Sequence, residues 1–197
     1  MLHYYLIYKP YLTISQFTPE LPGDHTLSDL GFTFPKDCYS VGRLDKDSEG
    51  LLLISNDKYL KTKFLSPSAN HRKTYFVQVE GEITETALSQ LRKGVDISVN
   101  GSKYRTLPAS AERLHEEPEL PPRNPPVRFR ANIPSSWIAI GIREGKNRQV
   151  RKMCAAVGFP VLRLVRYAMQ DLTLEDITDK KVTSIDKKTI YAKLKLS

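Results

Sequence analysis

A short polar segment between two predicted strands places the strongest constraint on this chain. Residues 41–50 read Val-Gly-Arg-Leu-Asp-Lys-Asp-Ser-Glu-Gly and lead directly into the apolar run Leu51–Ile54. The apolar run predicts a strand over 51–55, and the residues before the segment predict a second strand over 38–41. Asp45 therefore lies in a turn bounded by glycines, where a rigid scaffold can hold one reactive side chain.

The composition is that of an ordinary globular protein. The chain has 197 residues, of which 40% are hydrophobic, and this suits one compact domain or two lobes that share a sheet. Its two cysteines, Cys38 and Cys154, have no metal-ligand spacing, and the four histidines are scattered. We therefore expect a reduced, cytoplasmic, metal-free protein. The apolar runs are far shorter than the roughly 20 residues of a membrane helix, and we expect no signal peptide.

Positive charge is concentrated in one part of the chain. The net charge is +8, and between residues 123 and 166 the only acid is Glu144. The basic residues of this segment are Arg123, Arg128, Arg130, Arg143, Lys146, Arg148, Arg151, Lys152, Arg163 and Arg166. Most are arginines, whose planar guanidinium groups bind phosphate well. The pattern predicts a polyanionic partner, and a merely solvated basic surface is the alternative.

Strands and helices are mixed without the regular alternation of parallel α/β proteins. Strands are predicted at 4–8, 38–41, 51–55, 72–80, 137–142 and 161–165, with two or more over 95–114 and one or two over 181–195. Helices are predicted at 57–65, 84–94 and 147–157, with a short helical turn at 26–31. This order favours an α+β fold with a mixed, largely antiparallel sheet and flanking helices. We interpret the proline-rich residues 116–126 as an ordered or mobile loop within a single domain.

The helix predicted at 147–157 has two distinct faces. Its apolar stripe, with the spacing i, i+3, i+4 and i+7, consists of Val150, Met153, Cys154 and Val157 and is explained by core packing. Lys146 and Arg148 lie at its start, where exposed backbone N–H groups would help them to bind phosphate. Arg151 lies at the border of the stripe, from which it could turn inward to neutralise a buried carboxylate.

Four motifs, in order along the chain, resemble those of pseudouridine synthases of the RsuA type, which isomerise uridine within RNA. The motifs are Gly42–Asp45, Arg72–Gly81, Glu144–Met153 and Leu162–Tyr167. The segment Leu6–Pro10 also resembles the opening strand of that family, with Tyr8 where the family has asparagine. The resemblance covers most of the chain, from about Tyr5 to Met169. It implies a pseudouridine-synthase-like catalytic core, with two lobes around a cleft.

The resemblance also implies roles for individual residues. Asp45 is the catalytic aspartate, and Arg151 is the arginine that pairs with it. Tyr75 stacks on the target base and is a candidate acceptor of its proton, while Leu164 lies against the same base. The remaining residues implied in substrate binding are Arg43, which orders RNA near the flipped-out base, and Lys73, Lys146 and Arg148.

These residue types suit the reaction. Pseudouridine formation cuts the C1′–N1 bond, turns the uracil and rejoins it through C5, so we expect no cofactor. An ionised Asp45 can act as nucleophile or as base, and the sequence does not decide between the two. Desolvation would raise the pKa of this carboxyl group, whereas a guanidinium from Arg151 or Arg43 would lower it. An aromatic face such as that of Tyr75 stabilises an extruded base by about 1–3 kcal/mol.

Two further segments narrow the resemblance. Residues 122–128 and 133–137 are similar to the E-type branch of the family, which implies ribosomal RNA, specifically large-subunit (23S) rRNA, as the substrate. Many relatives begin with a small separate RNA-binding domain, whereas this sequence starts at the first core strand. We therefore expect a single catalytic domain over residues 1–197, acting as a monomer.

Other interpretations remain open at this stage. Asp45 taken alone, without the other motifs, is better explained as a turn residue that caps its own backbone. A two-carboxylate site with Asp47 or Glu49 is disfavoured, because both are expected to have structural roles such as turn capping. The chain could carry out the same chemistry on small-subunit rRNA or tRNA. It could also be a non-catalytic RNA-binding or ribosome-assembly protein, which would not require Asp45.

Overall fold

The computed structural model describes residues 1–66, 70–128, 133–178 and 182–196, and the chain divides into two compact units. The first unit comprises Met1–His71 and Arg166–Ser197, and the second comprises Arg72–Val165. Both units combine strands with helices, so the predicted α+β class is confirmed.

The first unit is built on antiparallel strands. Its elements are β1 (Tyr4–Lys9), β2 (Tyr39–Val41), β3 (Glu49–Ser55), α1 (Lys58–Leu65), the end of β9 (Val161–Met169), β10 (Leu172–Thr173), β11 (Val182–Ser184) and α4 (Lys187–Leu194). The strand order is β11-β1-β3-β9, with β2 also paired to β3 and β10 to β9. One-turn 3-10 helices lie at Leu27–Leu30 and Leu174–Asp176.

Strand β3 is the centre of this unit, as its apolar sequence predicts. All seven of its residues are buried. Because successive side chains of a strand point to opposite faces, the run serves two hydrophobic clusters. Leu51 and Leu53 belong to one cluster, which includes Leu60, Phe64, Ile190 and Leu194 from helices α1 and α4. Leu52 and Ile54 belong to the other, which includes Ile7 and Leu27.

A buried carboxylate ties α1 and α4 to the first strand. Asp57 is the N-cap of α1 and accepts a hydrogen bond from the Leu60 backbone N–H. The hydroxyls of Tyr4 and Tyr191 donate to its Oδ2 at 2.6 and 2.7 Å. Burial alone would raise the pKa of Asp57, but these hydrogen bonds outweigh it and hold the pKa below its usual value.

The C-terminal segment corrects the prediction of one or two edge strands over residues 181–195. Strand β11 is present, but Lys187–Leu194 forms helix α4; residue 181 lies outside the described residues. Asp186 caps the helix by accepting from the Thr189 N–H, and Ile190 and Leu194 are fully buried at the spacing i, i+4. The isoleucine, the tyrosine and the alternating leucines of this segment are typical of a strand. The segment forms a helix because packing against the core outweighs that local preference.

The second unit has its own sheet, a separate hairpin and two helices. Its elements are β4 (Lys73–Glu80), α2 (Glu85–Lys93), β5 (Asp96–Val99), β6 (Ser102–Arg105), β7 (Ser110–Leu114), β8 (Ser135–Ile142), α3 (Gln149–Ala156) and the start of β9. The strand order is β9-β4-β8-β7, and β5 and β6 form a separate two-stranded sheet. Strands β4, β8 and β7 are antiparallel neighbours.

The sequence patterns that predicted β4 and the two ends of α2 are confirmed. Tyr75, Val77 and Val79 are buried along β4, as their alternation predicts. Thr84 caps α2 and Gly94 ends it. Strand β9 continues four residues beyond its predicted end at Val165, and α3 begins two residues later than predicted.

Both cysteines are buried and free. Over the described residues, each helix is too short or too polar to cross a membrane.

Gly50, at the start of β3, lies where that strand closely approaches β9. Its φ is +107°, and a Cβ added there would collide with the backbone carbonyl of Arg166 and lie 2.7 Å from the Arg166 nitrogen. We expect Gly50→Ala to lower the free energy of unfolding by about 2–4 kcal/mol, from backbone strain and overpacking together, in chemical denaturation.

Gly23→Ala is the matched control, because Gly23 also has a positive φ of +85° but a Cβ there would meet nothing within 4 Å. It should cost only about 1 kcal/mol. Equal losses for the two variants would contradict the close approach of β3 and β9.

Candidate active site

Asp45 lies in a turn that connects β2 to β3, as predicted. The Ser48 N–H donates to the Asp45 carbonyl oxygen at 3.0 Å, which closes a β-turn and leaves the Asp45 side chain half-buried. Arg43 is in the same segment but points to solvent, with its side chain 65% exposed and paired to Glu20 at 3.1 Å. An exposed arginine is free to reorient toward a bound polyanion at little cost.

A buried serine fixes the backbone beside Asp45. The Ser15 hydroxyl donates to the Leu44 carbonyl oxygen and accepts from the Leu44 N–H, both at 2.9 Å. Ser15 is only 2% exposed. Both backbone groups of the residue before Asp45 are therefore held by one side chain, which restricts the direction in which Asp45 leaves the backbone.

A buried lysine holds the backbone of Lys46, the residue after Asp45. Lys9 is fully buried, and its Nζ donates to the carbonyl oxygens of Pro10 at 2.8 Å, Thr13 at 2.5 Å and Lys46 at 3.4 Å. Burial lowers the pKa of Lys9 to about 7, although nearby carboxylates, Asp45 among them, oppose that effect. The ammonium group therefore joins β1 and the loop after it to the residue that follows Asp45.

Three predicted site residues lie on the sheet of the second unit. Lys73 and Tyr75 have the spacing i, i+2 on β4, so their side chains leave the same face. Tyr75 is 9% exposed and pairs with Ile140, while Lys73 is half-buried and pairs with Ile142, the last residue of β8. Leu164, on β9, is 5% exposed.

The remaining predicted site residues lie at the start of α3. Arg151 is half-buried in the first turn of that helix, while Lys146 and Arg148 are exposed. Arg148 is the N-cap residue with a φ of 53°, and its side chain does not cap the helix. Val150, Met153 and Cys154 of the predicted stripe are buried, whereas its fourth member, Val157, is half-buried at the C-cap. Burial raises the pKa of the Cys154 thiol to about 12.

Glu144 anchors the segment before α3. Its carboxylate accepts hydrogen bonds from the Tyr104 hydroxyl on β6, from the Leu107 N–H at 2.8 Å and from the Gln149 amide at 2.6 Å. The bond to Glu144 raises the pKa of Tyr104, with burial as the second cause. The only acid of the basic segment thus has a structural role.

Gln149 closes the basic turn that Lys146 and Arg148 occupy. Its side-chain oxygen accepts from the Lys146 N–H at 2.9 Å, and its own N–H donates to the Lys146 carbonyl oxygen at 3.1 Å. The Lys146 ammonium lies 4.9 Å from the centre of the Tyr104 ring. The turn is held from inside by neutral amide groups, and its two cations, Lys146 and Arg148, are exposed.

Two arginines of the basic segment hold the proline-rich loop instead of facing solvent. Arg123 donates to the carbonyl oxygens of Pro125, Pro126 and Leu162 at 2.9–3.2 Å. Arg163 is 7% exposed and donates to the Pro121 carbonyl at 2.7 Å. These bonds anchor the loop to the start of β9, a point that the sequence left open.

The described residues of the basic segment therefore separate into buried, half-buried and exposed ones, with Arg123, Arg151 and Lys152 half-buried. Arg166, like Arg163, is buried, and its Nε donates to the Leu51 carbonyl at 2.8 Å inside the first unit. The exposed members are Arg128, Arg143, Lys146 and Arg148. Arg130 lies outside the described residues. The total charge of the segment overstates the charge that it presents to a ligand.

The structure places Asp45 and Arg43 together in one turn, and Lys146, Arg148 and Arg151 together at the start of α3. Sequence reasoning missed the supporting side chains. Lys9 could have been recognised as a lysine inside an apolar strand, whereas neither Ser15 nor Tyr104 carries a local signal. Among the described residues, no group of three or more His, Cys, Asp or Glu side chains could hold a metal ion.

Ser15→Ala tests whether the Ser15 hydroxyl holds the backbone of Leu44, the residue before Asp45. The change leaves a buried N–H and a buried carbonyl of Leu44 without a partner, so we expect the free energy of unfolding to fall by about 2–4 kcal/mol. Hydrogen exchange of the Leu44 amide should accelerate. The control is Ser28→Ala, which removes an exposed hydroxyl bonded to the Phe17 carbonyl and should cost under ~1 kcal/mol. An unchanged exchange rate of the Leu44 amide would show that Ser15 does not hold this backbone.

Comparison with known proteins agrees with the resemblance of the motifs. The family model described as RNA pseudouridylate synthase matches residues 3–156. The chain is 52% identical over 169 residues to the "Ribosomal large subunit pseudouridine synthase E" of Vibrio vulnificus strain CMCP6, covering 86% of this chain and 69% of that protein. The protein of the same name from Xanthomonas axonopodis pv. citri is 46% identical over 171 residues, covering 86% of this chain and 87% of that protein.

Solved structures extend the comparison to the fold. A structure described as "Crystal structure of pseudouridylate synthase" has a TM-score of 0.76 and 25% sequence identity, and it covers 98% of this chain and 74% of the other. The family model includes Asp45, Tyr75 and Arg151 within its matched range. With most of its length matched in sequence and nearly all of it in fold, the chain belongs to the RNA pseudouridylate synthase family.

Proposed function

We propose that this protein isomerises a specific uridine of large-subunit (23S) ribosomal RNA to pseudouridine, with Asp45 as the catalytic carboxylate. The observation that carries the choice of substrate is the similarity, over 86% of this chain, to relatives named for the large ribosomal subunit. The position of Asp45 on a turn with both neighbouring residues held by buried side chains supports its catalytic role.

A fixed carboxylate suits the first step of the reaction. Cleavage of the C1′–N1 bond needs a nucleophile at the sugar or a base beside it, and an ionised Asp45 can supply either. Ser15 and Lys9 hold Leu44 and Lys46, so the carboxylate is oriented before the substrate binds. Such preorganisation reduces the entropy that positioning would otherwise cost in the transition state.

We assign the remaining predicted residues to the substrate. Arg151 pairs with the Asp45 carboxylate, and Tyr75 and Leu164 provide apolar surface for the extruded uracil. Arg43, Lys73, Lys146 and Arg148 bind the phosphates around it. Each phosphate contact also offsets part of the few kcal/mol that it costs to extrude a base from its stack.

The two units are proposed to form one catalytic domain that acts as a monomer in the cytoplasm, where ribosomal RNA is made. A second candidate, the same chemistry on small-subunit rRNA, rests on the RsuA-type motifs that the chain shares with that wider family. Mapping of pseudouridine in both rRNAs and in tRNA from a strain that lacks the gene separates the candidates. Loss of a site outside 23S rRNA would overturn the choice of substrate.

Asp45→Asn tests the catalytic assignment. The amide is isosteric with the carboxylate but is neither a nucleophile nor a base at neutral pH, so we expect at least a 10³-fold loss of kcat. RNA affinity and thermal stability should remain near those of the parent protein. Asp47→Asn, in the same turn, is the control and should retain most activity. Normal turnover by the Asp45 variant would exclude the proposed role.

Arg151→Ala tests the pairing of a guanidinium with the catalytic carboxylate. Without that charge the Asp45 carboxylate loses an oriented counter-ion, so we expect kcat to fall by about 10²-fold or more with little change in RNA affinity. Lys152→Ala removes a neighbouring charge on α3 and should leave kcat within a few-fold. A defect of Arg151→Ala confined to RNA affinity would instead make Arg151 a phosphate ligand.

A further inference from the structure

A second basic surface lies on α1 and α4, outside the segment that the sequence singled out. It consists of Lys58, Lys61, Lys63, Lys187 and Lys188 with Tyr59 between them, and we call it the lysine–tyrosine face. All six residues are exposed. None of the five lysines forms an ion pair with any residue that the structure describes, so their charges are not neutralised locally.

Aromatic rings bring the two helices together and orient several of the lysines. Tyr59 of α1 and Tyr191 of α4 are stacked, with ring centres 6.4 Å apart and planes 3° from parallel. Lys63 lies over the Tyr59 ring at 5.4 Å and Lys187 over the Tyr191 ring at 5.1 Å. Cation–π contacts of this kind restrict long side chains before a ligand arrives.

Three of these lysines lie where they oppose helix stability, whereas Lys63, in the last turn of α1, does not. Lys58 lies in the first turn of α1, and Lys187 and Lys188 in the first turn of α4, with no acid in either first turn. A cation at the N-terminus of a helix opposes the helix dipole and is disfavoured. The two aspartate caps offset part of this cost, and a bound anion would offset more of it.

We propose that the lysine–tyrosine face binds the phosphate backbone of RNA flanking the target uridine. The inference rests on the proposed function, since RNA is the polyanion that this enzyme must bind. Uncompensated lysines interleaved with aromatic rings are typical of surfaces that follow a nucleic-acid backbone without reading its sequence. The occupant is therefore RNA, recognised by charge.

The position of the face in the fold separates it from the turn that carries Asp45. Strand β3 begins after that turn, and two residues separate its end from the start of α1. Its seven residues span about 20 Å. The face therefore meets RNA some distance from the reacting nucleotide and adds affinity without entering the chemistry.

The test compares two double variants that remove the same charge. Lys61→Gln/Lys187→Gln neutralises one lysine on each helix of the face. Lys193→Gln/Lys195→Gln is the control, because Lys193 is paired to Asp176 and Lys195 to Asp171. Affinity is measured by fluorescence anisotropy at several salt concentrations. The two RNAs are a long 23S rRNA fragment and a short hairpin that carries the target uridine. Circular dichroism checks that both variants are folded.

We expect the face variant to bind the long fragment about tenfold more weakly. The slope of log K against log salt concentration should be smaller by about 1.4–1.8, corresponding to two lost phosphate contacts. Its affinity for the short hairpin and its kcat on that hairpin should not change, and the control should behave like the parent protein.

Unchanged affinity of the face variant for the long fragment would overturn the proposal, as would an equal loss for the short hairpin or for the control. This result is independent of the catalytic assignment. If the protein formed no pseudouridine, the proposed function would fail, while the affinities of the two variants for the long RNA would still decide the role of the face.

Discussion

Two buried polar side chains hold the turn that carries Asp45, and the proposed chemistry depends on them. Ser15 satisfies both backbone groups of Leu44, and Lys9 donates to the carbonyl of Lys46. A buried ammonium and a buried hydroxyl are costly unless they are hydrogen-bonded, and here the partners are backbone atoms on either side of the reactive carboxylate. The same bonds that offset burial therefore orient Asp45.

Positive charge in this protein has two different uses. Buried or half-buried guanidiniums satisfy carbonyl groups: Arg163 and Arg123 anchor the proline-rich loop, and Arg166 binds the Leu51 carbonyl of β3. Exposed cations, at the turn before α3 and on the lysine–tyrosine face, are proposed to bind a polyanion. Arginine suits the first use because its planar group offers several donors in fixed directions, and lysine is common in the second.

Local patterns predicted most elements of secondary structure because their signals are short-ranged. The alternation of Tyr75, Val77 and Val79 was enough for β4, and Thr84 with Gly94 was enough for the ends of α2. The prediction failed for α4, where the residues after Asp186 alternate like an edge strand. That helix forms because Ile190 and Leu194 complete the cluster under β3, which is a long-range effect.

The sequence by itself determined the family, the α+β class and the candidate site residues, since these depend on motifs and periodicities that are local in the chain. Only the tertiary structure decided which charges are exposed, because burial depends on residues far apart in sequence. It placed Ser15 beside Leu44, 29 positions away, and Tyr104 beside Glu144, 40 positions away. It also brought α1 and α4 together into one basic face, since stacking of Tyr59 on Tyr191 joins segments that no local pattern connects.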